Sequence, residues 1–159
     1  MEERNLGRKF ARDIADLNQK GGQYIKTMNT IWAQLDQVEK DIRAQKTADQ
    51  ALLEAVKALR TKAQPLKEAY AMSKPEQGGY RTPYEIALRD GTLPEQLMMI
   101  MYTVMESQGA PTQAVINQCH DIEAVLVPLL QKLDALVKTD VPALNKLLNE
   151  KNFPHIKLN

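Results

Sequence analysis

A single cysteine, Cys119, stands among the 159 residues, so no internal disulfide is available and cysteine usage leaves the redox compartment open. Aromatic residues are scarce at 5%, and runs of β-branched residues are few, which argues against sheets. No sign of charge dominates: 21 basic residues against 20 acidic ones leave +1, so nothing pulls the chain generally toward nucleic acid or anionic lipid, and no nucleic-acid partner is expected. Long hydrophobic runs are missing as well. The densest, Leu97 to Tyr102, is far too short to cross a bilayer, so no membrane insertion is expected. The opening Met1-Glu2-Glu3-Arg4-Asn5 is polar with no apolar run behind it and reads as lacking a signal peptide. With 43% hydrophobic and 26% charged residues, the length suits one domain, 1–159, able to bury a core without disulfides or metals.

What the chain does have is a helical stripe. Leu6, Phe10, Ile14, Leu17, Tyr24, Met28, Ile31, Leu35, Val38 and Ile42 recur at steps of three and four, with Gly21 filling the gap in register. These steps put every side chain on one face of an α-helix running from near Glu2 or Arg4 to near Lys46. A helix of about 40 residues is roughly 60 Å long. Gly21-Gly22 lies in its middle, at a cost of about 2 kcal/mol against two alanines, which calls for a kink, a break or a close backbone approach. The unbroken phase favours a continuous or merely bent helix. Trp32 and Tyr24 adjoin the stripe and read as core.

Thr47-Ala48-Asp49-Gln50 has the form of a capping box, with Thr47 as the cap of a second helix from about Ala48 to Ser73. Its stripe is Leu52, Val56, Leu59, Ala63, Leu66 and Tyr70, and Pro65 predicts a kink. A loop follows from Lys74 to Arg81, and Thr82-Pro83-Tyr84-Glu85 opens a short helix ending at Asp90-Gly91. Thr92-Leu93-Pro94-Glu95 starts a third main helix, apolar nearly all round through Leu97, Met98, Met99, Ile100, Met101, Tyr102, Val104 and Met105. Such a helix is either central to its bundle or lies under a partner, and burial between its neighbours is the plainer expectation. Pro111-Thr112 opens a fourth helix on Val115, Cys119, Ile122, Leu126, Leu129, Leu133 and Leu136, with a bend expected at Pro128. Asp140-Val141-Pro142 should break it, since proline pushes its predecessor out of helical geometry. A last short helix carries Leu144, Leu147 and Leu148. The pattern predicts an all-α fold, an antiparallel four-helix up-down bundle with a long first helix and short accessory helices.

Chemistry-bearing motifs are thin. Cys119 and His120 are adjacent, so on a helix they point about 100° apart and do not pair as thiolate and base. His120, His155 and Cys119 lack metal-ligand spacing, and no Glu-x-x-His pair of the di-iron kind occurs. Gly21-Gly22 and Gly78-Gly79 lack any phosphate-loop context. Arg4, Arg8 and Arg12 make a basic edge interleaved with Glu2, Glu3, Asp13 and Asp16, which reads as a solvated face. No catalytic, cofactor or metal residue is expected, and the chain reads as a non-enzyme. The candidates for contact with a protein partner are Phe10, Ile14, Tyr80, Tyr84, Met98, Met99, Met101 and Met105. The later helices, at roughly 40 Å, cover about two-thirds of the first, so exposure of Phe10 and Ile14 would make its amino-terminal part a partner-binding arm.

Gly78-Gly79, Ala110-Pro111-Thr112, Asp140-Val141-Pro142-Ala143-Leu144-Asn145 and the closing Pro154-His155-Ile156 resemble the carboxyl-terminal helical region of bacterial sortilin-like, Asp-box (BNR) repeat propeller proteins of glycosyl-hydrolase-like type. The similarity in pattern runs from Thr27 to Ile156. It implies an accessory helical module of a larger exported parent. The propeller, its Asp-boxes and any catalytic residue are not present in this chain. The alternative is a freestanding helical-bundle subunit that self-associates, as in a homodimer, or packs on a nucleoprotein or protein scaffold.

Overall fold

The apolar stripe of the first helix becomes a single α-helix, α1 (Glu2–Arg43), in the computed structural model, which describes residues 2–69, 92–106 and 110–158, with side chains from residue 7 onward. Ile14, Leu17, Gly21, Tyr24, Met28, Ile31, Leu35, Val38 and Ile42 are all buried, as the three-four spacing requires. The helix passes through Gly21-Gly22 without a break. Gly21 is buried, whereas a Cβ at Gly22 would meet nothing within 4 Å, so close approach of another group does not explain the second glycine.

The other described helices are α2 (Gln50–Ala69), α3 (Leu93–Glu106), α4 (Gln113–Ala135) and α5 (Val141–Glu150), with a π-helical turn over Leu136–Asp140. The fold is all-α, and no strand occurs among the described residues. The expected short helix at Pro83 lies outside them. The chain divides into two compact units: Met1–Gln23 with Ala69–Pro128, and Tyr24–Glu68 with Leu129–Asn159. Helices α1 and α4 each contribute residues to both.

In the second unit, Tyr24 on α1 donates its hydroxyl hydrogen to the Leu66 carbonyl in the last turn of α2 (2.7 Å). Arg60 bridges Asp36 (2.7 Å) and Glu39 (3.1 Å). Rising numbers on α1 meet falling numbers on α2, so the pair is antiparallel. Lys62 pairs with Asp140 (2.6 Å) and Asp49 with Lys151 (3.2 Å), so α2 also runs antiparallel to the segment ending in α5. Exposed ion pairs of this kind add little stability, but they fix which turns face one another. Trp32 is only half-buried, with Lys67 Nζ 4.1 Å and the Arg60 guanidinium 5.2 Å from its ring centroid. It is therefore a platform for cations and not the core residue expected of it.

Asp49, and not Thr47, caps α2: its carboxylate accepts the Leu52 amide hydrogen (3.1 Å). The Thr-x-x-Gln pattern was misleading because Asp49 offers an equally good cap two residues nearer the helix. That bond, together with Lys151, holds the Asp49 carboxyl below its ordinary range.

Pro142 does not break the chain's helical course. Ala135, Asp140 and Val141 all keep right-handed helical angles, and the Val141 amide donates to the Leu136 carbonyl five residues back. The widened turn accommodates a proline that has no amide hydrogen for a normal α-helical bond. It also re-phases the stripe, since buried Leu129, Leu133 and Leu136 are followed by a step of five to Val141 and then by Leu144 and Leu148. After α5 the chain closes in a Schellman motif. Asn152, at φ 59°, takes the left-handed position, its amide donates to Asn149 (3.1 Å), and the Phe153 amide donates to Leu148 (2.9 Å).

Candidate functional site

Helix α3 is fixed at its start by half of a capping box: the Glu95 carboxylate accepts the Thr92 amide hydrogen (2.7 Å), and the Gln96 amide donates to the Thr92 carbonyl (2.9 Å). Leu97 and Ile100 face inward and are fully covered. Met98, Tyr102 and Met105, at steps of four and three, form the opposite face and are 55%, 59% and 80% exposed. Met99, Met101 and Val104 are intermediate. The helix is thus two-faced in geometry while apolar on both sides, and the expectation that it would be buried by its neighbours fails for the outer face. Glu106, hydrogen-bonded to the Tyr102 hydroxyl one turn away, raises the pKa of that phenol and keeps it protonated.

The other contact candidates separate. Ile14 is 1% exposed, so it belongs to the interior, and Phe10 is half-buried. The condition for reading residues 6–17 as a free arm is therefore not met. Tyr80 and Tyr84 lie outside the described residues.

Phe10 instead lines a cavity of about 210 Å³ within the first unit, with Asp13, Asp16, Leu17 and Lys20 of α1 and Cys119, His120 and Glu123 of α4. The Cys119 thiol is pushed up by burial first, then by the carboxylates of Glu123 and Asp13. Each of these effects favours the neutral thiol over the thiolate. Among the described residues no group of three or more His, Cys, Asp or Glu is arranged to hold a metal ion. A second, more apolar cavity of about 420 Å³ lies between α3 and α4, lined by residues including Leu93, Gln118, Ile122 and Val125. The Gln118 Nε2 is buried without a partner.

A third arrangement had no signature in the sequence. Two carboxamides grip the tail. Asn145 of α5 donates Nδ2 to the Ile156 carbonyl (2.9 Å) and accepts the Ile156 amide hydrogen at Oδ1 (2.7 Å). Gln34 of α1 does the same for Lys157, each bond 2.6 Å. Residues 34 and 157 are 123 apart, beyond the reach of any local pattern.

Among the described residues no helix is long and apolar enough to cross a membrane. No family model, curated protein or solved structure matches the chain.

Proposed function

We propose that this chain is a non-enzymatic helical interaction module whose contact surface is the outer face of α3. The observation that carries the reading is the exposure of Met98, Tyr102 and Met105 together on one helical face, beside inward neighbours that are fully covered. Methionine and tyrosine suit such a surface: the thioether chain adapts to an irregular partner, and the phenol adds apolar area with a polar tip. The occupant is the apolar surface of a neighbouring protein domain. The resemblance of residues 27–156 to helical regions following exported Asp-box propellers supports a domain of a larger parent in that place.

Light scattering and binding of an environment-sensitive apolar dye test the reading. Dye binding by the wild-type chain, lost in the double variant Met98→Glu/Met105→Glu with helical content unchanged, is the expected result. A strictly monomeric chain that binds no dye overturns it. Mass that rises with concentration would instead make a second copy the occupant, as in a homodimer.

A further inference from the structure

The chain passes from one compact unit to the other after Gln23, after Glu68 and after Pro128. Each crossing has a helix-weakening residue beside it. Gly21-Gly22 stands immediately before Gln23, Pro65 lies one turn before Ala69, and Pro128 is itself the last residue of its segment. Within the described helices Gly21-Gly22 is the sole adjacent glycine pair, and Pro65 and Pro128 are the sole prolines inside an α-helix past its first turn. A proline donates no amide hydrogen, so the bonds that would end on the Thr61 and Ala124 carbonyls are missing from α2 and α4. Gly22 weakens α1 in the same way with no packing reason, since a Cβ there would meet nothing within 4 Å. The helical ladder is therefore weakest where it runs from one unit into the other.

The second unit is fastened at its own border. Tyr24, the first residue past the first crossing and 1% exposed, donates to the carbonyl of Leu66, two residues short of the second crossing. The first unit is the less completely packed of the two: its described residues line cavities of about 210 and 420 Å³ and leave Met98, Tyr102 and Met105 exposed. Voids and uncovered apolar surface both lower the cost of local opening.

We infer that the first unit is a separate cooperative element that opens while the second stays folded, with α1 parting at Gly21-Gly22 and α4 at Pro128. Opening uncovers Leu97 and Ile100 on the inner side of α3, which the closed form buries. The molecule thus has a conformational step of its own between folded and unfolded, confined to the unit that holds α3. The step holds whether or not the outer face of α3 meets a partner.

Hydrogen exchange of the full chain, followed amide by amide under native conditions, tests the inference. Residues 97–106 of α3 and 119–127 of α4 should share one opening event and exchange about tenfold faster, or more, than residues 54–64 of α2 and 145–150 of α5. Along α1 and α4 protection should change in a step, between Leu17 and Met28 on the first and between Ile122 and Leu133 on the second. One common slowest rate in both units overturns the inference, as does a second unit that opens first. Ile31→Val, a mild truncation at a fully covered position of the second unit, gives an independent readout. It should speed exchange in the second unit by about twofold to tenfold and leave the first unit's rate unchanged, because the second unit stays folded when the first opens. Equal acceleration in both units overturns the inference.

Discussion

The two units use the same helical materials but finish their surfaces differently. Among the described residues, five of the six large exposed apolar side chains, Met98, Tyr102, Met105, Val125 and Val127, belong to the first unit, and only Leu147 belongs to the second. The second unit adds Phe153 and Ile156 from the tail to its covered core and rings its helices with charged pairs. Among its described residues the first holds cavities of about 210 and 420 Å³ and an apolar helix face open to solvent. Among the described residues, then, the second unit covers nearly all of its large apolar side chains, while the first exposes a helix face of them.

The comparison is broken most severely in the second unit's core. Leu35→Ala removes a fully covered side chain and should cost about 2 to 5 kcal/mol in denaturant unfolding, whereas Met105→Ala, at an 80% exposed site, should be close to neutral. Equal losses at the two positions would abolish the distinction.

Tyr24→Phe comes next. It deletes the bond to the Leu66 carbonyl and should cost about 1 kcal/mol at neutral pH. Burial pushes the Tyr24 phenol from 10.0 up to about 12. The unfolded chain therefore releases this proton first, so the contribution is complete below pH 10 and drains away as pH rises toward 12. Tyr24→Phe should flatten alkaline unfolding in that window, as followed by circular dichroism.

Gly22→Ala acts with the opposite sign on the first unit's stretch of α1. Open space around the added methyl and a helical backbone predict a gain of roughly 0.5 to 1 kcal/mol. A loss would mean that Gly22 serves a need the helix does not show. Met98→Glu/Met105→Glu should move stability least, within about 0.5 kcal/mol, while abolishing dye binding. A large loss of stability would place that face in the interior of the first unit.

Much of the helical framework was legible because burial follows the helical period. Every stripe position from Ile14 to Ile42, and Leu52, Val56, Leu59, Ala63 and Leu66 on α2, is covered as the spacing implied. Two misreadings came where two local rules competed. Asp49 displaced Thr47 because both are good caps, and the Pro142 break gave way to a π-turn because one extra residue satisfied the proline and the stripe together. Of the contact candidates, Met98 and Met105 proved exposed and Ile14 did not, since periodicity identifies an apolar face without saying what covers it. The grip of Gln34 and Asn145 was invisible for a different reason: carboxamides on a polar face look solvated until the distant tail is placed beside them.

The π-turn gives the chain a spare residue. From Leu136 the next buried position is five residues on, at Val141, where an ordinary α-helical stripe needs four. Deleting any one of Val137, Lys138 or Thr139 would leave the apolar face in phase, with Pro142 then sitting inside a plain α-helix as Pro65 and Pro128 already do. In a bundle, where a change of length usually rotates everything downstream out of register, losing one residue here should keep the register, while returning Pro142 to an α-helical turn that its missing amide hydrogen destabilises.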